Sequence, residues 1–328
     1  MQKRTLGHTQ SQLPVIGLGC MGLSDFYGPP LEESAAIQLL HEALEMGVVH
    51  FDTAEMYGIG STNETLLGTA FADRRERVFV ATKFGPLRDG ETGAFLGVDG
   101  SRRNCRRAIE GSLRRLRTDH VDLYYVHRVD PATPIEDTVG AMAELVAEGK
   151  VGAIGLSEAS GETIRRAAKV HPIAAVQSEY SLFSRDIEAE VLPACLEVGA
   201  SLVAYSPLGR GLLSGRFQGE PLGEGDWRST TPRFQGERFA ANLALANEVQ
   251  AMAAAKGCTP AQIALAWVLQ RSETILALAG TTKLHHLKDN LGACAVHLTQ
   301  AECSALDGLA ARVAGDRYDS WGMASING

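Results

Sequence analysis

The sequence of 328 residues contains few cysteines and no long apolar run. Its cysteines form no C-x-x-C pair, which predicts free thiols in a reducing compartment. They lie at positions 20, 105, 195, 258, 294 and 303. The first residues, MQKRTLGHTQ, lack the apolar core of a signal peptide, and no apolar stretch is long enough to cross a bilayer. We therefore expect a cytoplasmic protein.

Positively charged residues are also fewer than acidic ones. The 31 lysines and arginines against 39 acidic residues give a net charge of -8, and the isoelectric point is about 5.6. Such a balance argues against nucleic-acid and membrane partners. The exception is SRRNCRRAIEGSLRRLRTD, in which Ile109, Leu113 and Leu116 predict an amphipathic helix with a basic outer face. A solvated surface explains this face more simply than a binding patch does.

No linker rich in proline, glycine or serine divides the chain, so we expect one domain over residues 1–328. Short apolar runs alternate with helical patterns along it. The eight candidate strands lie in PVIGLG, VHFDTA, RVFVATK, VDLYYVH, VGAIGLS, AAVQSEY, SLVAYSP and TILALAG. Strands this apolar are typical of a parallel sheet buried on both faces. Eight such units favour an α/β fold of the (β/α)8 TIM-barrel type, with a doubly wound sheet as the alternative.

Two segments depart from this alternation. The stretch at about 214–238 is long and rich in glycine, and it carries Phe217, Trp227 and Phe234. A long loop in a compact domain is usually functional or disordered, and here we expect a lid. The C-terminal tail at about 311–328 could fold over a site, meet a neighbouring molecule or stay mobile.

A glycine motif near the start raises the question of cofactor binding. VIGLGCMGLS contains Gly17, Gly19 and Gly22 in the pattern G-x-G-x-x-G, which is typical of a dinucleotide-binding turn that opens a helix. Pro29 and Pro30 stand in the path of such a helix and would stop it. The glycines therefore predict a bend between strand and loop, and any cofactor would be held elsewhere.

Four reactive side chains close neighbouring strands. Asp52 and Tyr57 follow the second candidate strand, Lys83 ends the third and His127 ends the fourth. The carboxyl ends of barrel strands form the active-site face. Each residue alone has an ordinary structural explanation, but the four together favour a site.

The residue types suggest carbonyl chemistry. We expect the ammonium of Lys83, oriented by Asp52, to lower the pKa of Tyr57. His127 could orient a carbonyl oxygen or relay a proton. Because no side chain is an obvious electron donor, a hydride would have to come from a cofactor.

A series of motifs then points to a family. The stretches FDTAEMYG, VATKFG, LRRLRTDHVDLYYVHRVDP, GAIGLSEAS, VQSEYSL, AYSPLGRGLLSG and AGTTKLHHLKDNLGA occur in this order. From about Leu13 to Ala293 the chain resembles the aldo-keto reductase superfamily, most closely its bacterial and fungal general aldehyde reductases. The resemblance implies a (β/α)8 barrel that binds NADPH without a Rossmann fold. It also implies a catalytic tetrad of Asp52, Tyr57, Lys83 and His127, with Tyr57 as general acid in the reduction of aldehydes and some ketones.

The resemblance further implies the cofactor contacts. Ser157 and Gln177 would hydrogen-bond the carboxamide, and Tyr205 would stack on the nicotinamide. The other residues expected near this ring are Gly19, Cys20, Met21 and Asp52. The loop SPLGRG would wrap the pyrophosphate through Ser206, Leu208, Gly209 and Gly211. The stretch GTTKLHHLKDN would hold the adenosine end through Gly280, Thr281, Thr282, Lys283, His286, Asp289 and Asn290.

Two departures from the family pattern bear on the cofactor. Glu158 stands where an asparagine is frequent, and His286 stands where an arginine is frequent. A neutral histidine offers no planar fork for a phosphate. We expect Lys283 and backbone N–H groups at a helix N-terminus to favour NADPH over NADH all the same. The group of His285, His286 and Asp289 could suggest a metal site, but its spacing alone is weak evidence and we expect none.

Two other functions remain open. Lys83 could form a Schiff base in an aldolase-like lyase, although the cofactor motifs speak against this. The chain could instead be an auxiliary subunit of a membrane channel that senses the nicotinamide redox state. For the reductase we expect a small aldehyde as substrate, aromatic aldehydes included, whereas the sequence indicates no oligomeric state. The candidates for the pocket wall are Phe26, Phe84, Arg128, Trp227 and Trp321.

Overall fold

Eight parallel strands form a closed barrel, as the sequence predicts. The computed structural model describes residues 1–217, 220, 222–223 and 225–326, and for Trp321 only the backbone. The barrel strands, in their order around the barrel, are β3 (Ile16–Gly19), β4 (His50–Asp52), β5 (Phe79–Phe84), β8 (Val121–Val126), β9 (Val151–Ser157), β10 (Ala175–Glu179), β11 (Ser201–Tyr205) and β12 (Ile275–Leu278). Each of the eight candidate strands overlaps one of them, so the (β/α)8 prediction is confirmed.

Helices surround this barrel. They are α1 (Glu33–Glu45), α2 (Thr62–Ala70), α3 (Arg102–Leu116), α4 (Ile135–Ala147), α5 (Gly161–Ala168), α6 (Val191–Val198), α7 (Gly236–Lys256), α8 (Pro260–Gln270), α9 (Leu284–Gly292), α10 (Gln300–Asp307) and α11 (Ser320–Ala324). The helical pattern of Ile109, Leu113 and Leu116 is buried on the inner face of α3. On its outer face Arg106 lies 2.7 Å from Glu148, just after α4. The basic face of α3 therefore meets solvent and neighbouring acidic side chains. Among the described residues, no helix is both long and apolar enough to span a membrane.

A hairpin that the sequence analysis did not predict closes the lower end of the barrel. The antiparallel strands β1 (Lys3–Thr5) and β2 (Gln12–Pro14) lead through a loop whose Leu6 is fully buried. Leu6 and Leu13 pack with residues at the starts of barrel strands, such as Phe79 and Ala175. The backbone N–H of Gly7 donates to the hydroxyl of Ser201, the first residue of β11, at 2.8 Å. Any cavity must therefore open at the opposite end.

A second unpredicted hairpin stands at the upper end. Strands β6 (Pro86–Arg88) and β7 (Phe95–Val98) pair antiparallel directly after β5. Both hairpins consist of three- or four-residue strands with little sequence periodicity. Such short segments give too few residues for an alternating pattern to be recognised.

The glycine motif forms a bend, as expected. Strand β3 ends at Gly19, a short turn follows, and α1 begins only at Glu33. A Cβ atom on Gly17 would lie 2.8 Å from Nδ1 of His50, so the glycine permits close packing of β3 on β4. The motif therefore does not form a dinucleotide-binding turn.

Candidate active site

The four predicted reactive residues meet at the carboxyl ends of β4, β5 and β8. The ammonium of Lys83 forms an ion pair with Asp52 and donates to the carbonyl of Thr53 at 2.8 Å. Its Nζ atom lies 5.0 Å from the ring centroid of Tyr57. The Tyr57 and His127 rings meet edge to face, with centroids 5.6 Å apart. The strand order brings these groups together because β4 and β5 are neighbours and β5 pairs with β8.

The electrostatics of Tyr57 differ from the expectation. Burial and the negative charge of Asp52 raise the pKa of Tyr57 well above its ordinary value of 10. The expected lowering by Lys83 is therefore wrong for this structure. The ammonium is held by Asp52, whose charge opposes its effect, and desolvation disfavours the phenolate.

His127 is a neutral histidine at physiological pH. Burial, with the positive charges of Arg128 and Lys83, lowers its pKa well below 6.5. Its buried Nδ1 atom has no hydrogen-bond partner within the described part of the chain. A neutral imidazole carries one N–H donor and one acceptor. Because His127 also lines the cavity, its neutral ring can offer a directed hydrogen bond to a group bound there.

A cavity of about 960 Å³ opens beside these residues. Gln177 Nε2 donates to the second oxygen of Asp52 at 2.8 Å, so that the carboxylate is held from two sides. The predicted residues that line this part of the cavity are Gly19, Met21, Asp52, Tyr57, His127, Ser157, Gln177 and Tyr205.

Two predicted residues lie behind this wall. Lys83 is fully buried behind Asp52. The thiol of Cys20 is also fully buried, in the layer between strands and helices, with its Sγ 3.5 Å from the carbonyl of Leu18. We therefore correct the expectation for Cys20, whose side chain does not reach the cavity.

The loop after β11 forms the next section of the wall. Ser206, Leu208 and Gly211 line the cavity as expected. Gly209 does not, since a side chain there would point at Leu213 and Phe183 in the core. Its contribution is conformational: φ is 56° at Gly209 and 98° at Gly211, in the left-handed region that favours glycine. These values curl the loop around the cavity.

The far end of the cavity is polar and positively charged. The predicted residues that line it are Gly280, Thr281, Thr282, Lys283, His286, Asp289 and Asn290. The sequence analysis missed Arg216, which comes from the loop after β11 and also lines this end. Burial and the positive charges of His285, Lys283 and Arg216 lower the pKa of His286. His286 is therefore neutral, and the cations here are Lys283 and Arg216.

The chemistry of the lining residues fits an elongated anionic cofactor. One end offers the amide and hydroxyl groups of Gln177 and Ser157, and the other end offers two cations. At the crossing of β3 with the end of β12, a Cβ on Gly280 would lie 3.2 Å from the carbonyl oxygen of Gly19. Side chains at these two glycines would narrow the cavity where the strands meet.

Aromatic residues build the mouth of the cavity. Phe26 contacts Tyr57 and Trp227, with ring centroids 6.4 and 6.3 Å apart. Arg128 also lines the cavity. Phe84 does not, because it points outward from β5 and stacks on Tyr124 with a centroid distance of 5.0 Å. We correct that expectation; the side chain of Trp321 lies outside the described residues.

The loop expected to be a lid contributes to this mouth. Asp226 forms a β-bridge with Tyr27, and the Trp227 N–H donates to the carbonyl of Phe26 at 2.9 Å. Arg228 Nη1 donates to the carbonyl of Arg210 at 2.8 Å. The described part of the loop at 214–238 is thus fastened to the loops after both β3 and β11.

The C-terminal segment lies over the same opening. The hydroxyls of Tyr318 and Tyr205 are 2.9 Å apart, and Arg317 forms a buried ion pair with Glu158 at 2.9 Å. Arg317 also lies 3.2 Å from Asp186. Of the three arrangements left open by the sequence, the described residues show the one over the site. Glu158, the departure from the family pattern, has its partner here.

No metal site accompanies this cavity in the part of the chain that the structure describes. No group of three or more His, Cys, Asp or Glu side chains is placed to hold a metal ion there. The rings of His285 and His286 meet edge to face, with centroids 4.2 Å apart. The hydroxyl of Thr259 donates to both carboxylate oxygens of Asp289, at 3.0 and 2.9 Å.

Comparison with known proteins identifies the family. The model of the Aldo/keto reductase family matches residues 15–311. The glycerol dehydrogenase AKR11B4 from Gluconobacter oxydans is 30% identical, with a TM-score of 0.86 over 97% of this chain and 98% of that one. The thermostable aldo-keto reductase Tm1743, solved with the inhibitor epalrestat, is 33% identical, with a TM-score of 0.77 over 94% of this chain and 100% of that one. The chain therefore belongs to the aldo/keto reductase family, whose members are oxidoreductases that use nicotinamide cofactors.

Proposed function

We propose that this protein is an NADPH-dependent reductase that converts aldehydes, and some ketones, to alcohols with Tyr57 as the general acid. The observation that carries the proposal is the convergence of Tyr57, His127 and the Lys83–Asp52 ion pair on one cavity. Membership in the aldo/keto reductase family supports oxidoreductase chemistry at this site.

The cavity offers a place for each part of the cofactor. Ser157 and Gln177 would hold the carboxamide, and Tyr205 would lie against the nicotinamide ring beside Gly19 and Met21. The bound nicotinamide would supply a hydride to the carbonyl carbon of the substrate. Ser206, Leu208 and Gly211 would hold the pyrophosphate through the curled loop after β11. Gly280, Thr281, Thr282, Asp289 and Asn290 would hold the adenosine end.

Side chains of the protein would donate the proton and stabilise the negative charge that its loss creates. Because its pKa is raised, Tyr57 keeps its proton at neutral pH and can donate it to the carbonyl oxygen. Neutral His127 would orient that oxygen by a hydrogen bond. The nearby ammonium of Lys83 would stabilise the phenolate that remains. Asp52 holds this ammonium in place.

The preference for NADPH would come from two cations. Lys283 precedes α9, and Arg216 lies near His286 at the same end of the cavity. A phosphate placed there would meet both charges and the N-terminus of α9. A fluorescence titration should show tighter binding of NADPH than of NADH. Equal dissociation constants would contradict the preference.

Turnover of NADPH with a reactive aromatic aldehyde tests the proposal, with wild type compared with Tyr57→Phe. The substitution removes the proton donor and keeps the ring, so cofactor binding should persist while turnover falls by about a hundredfold or more. The similarity to a glycerol dehydrogenase adds glyceraldehyde, dihydroxyacetone and glycerol to the substrate panel. If the wild type binds NADPH but reduces no carbonyl compound, the redox-sensing function becomes the better explanation.

The Schiff-base lyase has no such support. Lys83 is fully buried and does not line the cavity, and its amine is already bound to Asp52 and Thr53. A carbonyl carbon in the cavity would have to displace the Asp52 side chain to reach it. Borohydride should therefore trap no adduct on Lys83 in the presence of a carbonyl substrate.

Four further proposals concern the organisation and location of the chain. We propose that residues 1–328 form one domain, in which the loop at about 214–238 acts as a lid and the tail from about 311 completes the mouth. The docking of Trp227 and Tyr318 around the cavity supports this arrangement. We also propose a cytoplasmic location, which the six free thiols support. Proteolysis within the lid loop should slow when NADPH is bound.

A further inference from the structure

The side chains that line the cavity carry more positive than negative charge. Five arginines line it, namely Arg88, Arg128, Arg210, Arg216 and Arg228. Three of them have a carboxylate partner: Arg88 pairs with Asp25, Arg210 with Glu179 at 2.6 Å, and Arg228 with Asp226 at 2.5 Å. Arg216 lies with Lys283 at the adenosine end of the proposed cofactor site. Arg128 remains to be explained.

Within the described part of the chain, the hydrogen bonds of Arg128 are all with neutral groups. Its Nη1 donates to the carbonyl of His127 at 2.7 Å and approaches the hydroxyl of Ser157 at 3.4 Å. Its Nη2 approaches the hydroxyl of Tyr318 at 3.4 Å. Among the described residues no carboxylate lies within ion-pair distance of this guanidinium. Burial acts to lower its pKa, but Tyr318, Tyr205 and Glu158 raise it, so Arg128 stays charged.

Its location points to the substrate rather than to the cofactor phosphates. Arg128 follows His127 directly, and its charge influences the pKa values of Tyr57, His127 and Lys83. The guanidinium therefore lies beside the reacting groups. A partly buried cation with neutral partners binds an anion well, since the anion restores the charge balance.

We propose that Arg128 is a specificity residue that binds the carboxylate of an anionic carbonyl substrate. The inference rests on the proposed reductase function and assigns its substrate class: aldehydes or ketones that carry a carboxylate close to the carbonyl group. The aromatic rings of Phe26 and Trp227 at the mouth suit a flat or apolar connecting group. The guanidinium fork can hold a carboxylate through two N–H groups, which an ammonium cannot do.

The test uses 2-, 3- and 4-carboxybenzaldehyde, each paired with its methyl ester. The three isomers scan the distance between carboxylate and carbonyl, and the ester removes only the charge. With NADPH, kcat/KM for the acid should exceed that for the ester by about tenfold or more for at least one isomer. In Arg128→Met this ratio should fall to about one, mainly through KM. Arg128→Lys should retain part of it.

The ratio is the readout because a change in folding or in cofactor binding affects acid and ester alike. Arg103→Met is the matched control: Arg103 is an exposed residue of α3 that does not line the cavity, and the ratio should stay at the wild-type value. Reduction of the neutral esters without any preference for an acid would overturn the inference and leave the reductase function intact. An acid preference that survives in Arg128→Met would overturn it as well.

A binding measurement separates this inference from the proposed reaction. The corresponding hydroxymethylbenzoates are titrated calorimetrically into the protein saturated with NADP⁺, and their methyl esters serve as reference. Arg128→Met should weaken binding of the benzoates about tenfold relative to the esters. This result can be obtained even if no aldehyde is reduced. Equal binding by wild type and variant would refute the role of Arg128.

Discussion

Arg317, in the C-terminal segment, and Glu158, directly after β9, form a buried ion pair with two N–O contacts of 3.1 and 2.9 Å. The two residues are 159 positions apart in the sequence. Their pairing brings Tyr318 against Tyr205, in the wall of the cavity. The charge pair thus couples the position of the C-terminal segment to the proposed nicotinamide site.

Removing one partner of this pair should destabilise the protein strongly. Arg317→Met leaves the carboxylate of Glu158 buried without its main partner, which costs about 3–5 kcal/mol in comparable pairs. Urea unfolding measures the loss. Arg165→Met is the matched control, since Arg165 also makes two N–O contacts with one carboxylate, that of Glu197, but at the surface. Its effect should be much smaller. Equal losses in the two variants would contradict a special role for the buried pair.

Lys83→Met should slow turnover strongly and still allow the cofactor to bind. The substitution leaves Asp52 without its cation and removes the charge near Tyr57, so kcat for aldehyde reduction should fall by about a hundredfold or more. Lys150→Met, a surface change of the same type, should leave kcat unaltered. Thermal unfolding and NADPH titration show whether the variant is folded. A folded variant with wild-type kcat would refute the role of Lys83.

The buried ring of His50 should make stability depend on pH. Burial lowers the pKa of His50 from 6.5 to about 4. At pH 7 both folded and unfolded chains hold it neutral. Below pH 6.5 only the unfolded chain takes up the proton, so folding free energy is lost as pH falls toward 4. From pH 7 to 4.5 the loss from this residue is about 2–3 kcal/mol.

Urea unfolding of wild type and His50→Leu at pH 7 and at pH 4.5 checks this prediction. The two proteins should differ in how much unfolding free energy they lose between these pH values, because only the wild type carries this titration. His297→Gln is the control, since it removes an exposed histidine at the surface and leaves the core unchanged. An identical loss in wild type and His50→Leu would show that His50 is not the cause.

Arg216→Gln should weaken NADPH binding more than NADH binding. Arg216 lies with Lys283 at one end of the cavity, where only the phosphorylated cofactor would bring an additional charge. The ratio of the two dissociation constants should fall by about tenfold. Lys288→Gln serves as control because Lys288 is an exposed residue of α9 that does not line the cavity. A similar loss for both cofactors would place Arg216 at the pyrophosphate instead.

Much of the architecture could be predicted because it repeats locally. Each barrel strand is a short apolar run, and in a parallel barrel all carboxyl ends lie on one rim, so Asp52, Lys83 and His127 could be placed together. One prediction that relied on local sequence, the placement of Phe84, is wrong. Phe84 was expected in the pocket because it follows Lys83, but adjacent strand residues point to opposite faces.

The features of the site that could not be predicted depend on contacts between segments that are distant in the sequence. Neither Arg317 nor Arg216 carries a local signal of its destination. Arg317 reaches Glu158 from the tail and Arg216 reaches the cavity from a loop, and the sequence does not specify the path of either segment. The direction in which the pKa of Tyr57 shifts could not be predicted for a related reason. The proximity of Lys83 could be predicted, whereas the desolvation that outweighs it requires knowledge of how deeply the ring is buried.

The hairpin of β1 and β2 makes the barrel a cup with a floor rather than an open tube. Leu6 and Leu13 form that floor, while the segment around Tyr318 belongs to the rim on the opposite side. The two ends of the described chain therefore lie at opposite poles of the molecule. If the protein is immobilised or fused to another protein, an attachment at residue 1 would lie at the closed end of the barrel, away from the mouth of the cavity. An attachment after residue 326 would instead lie beside the mouth of the cavity.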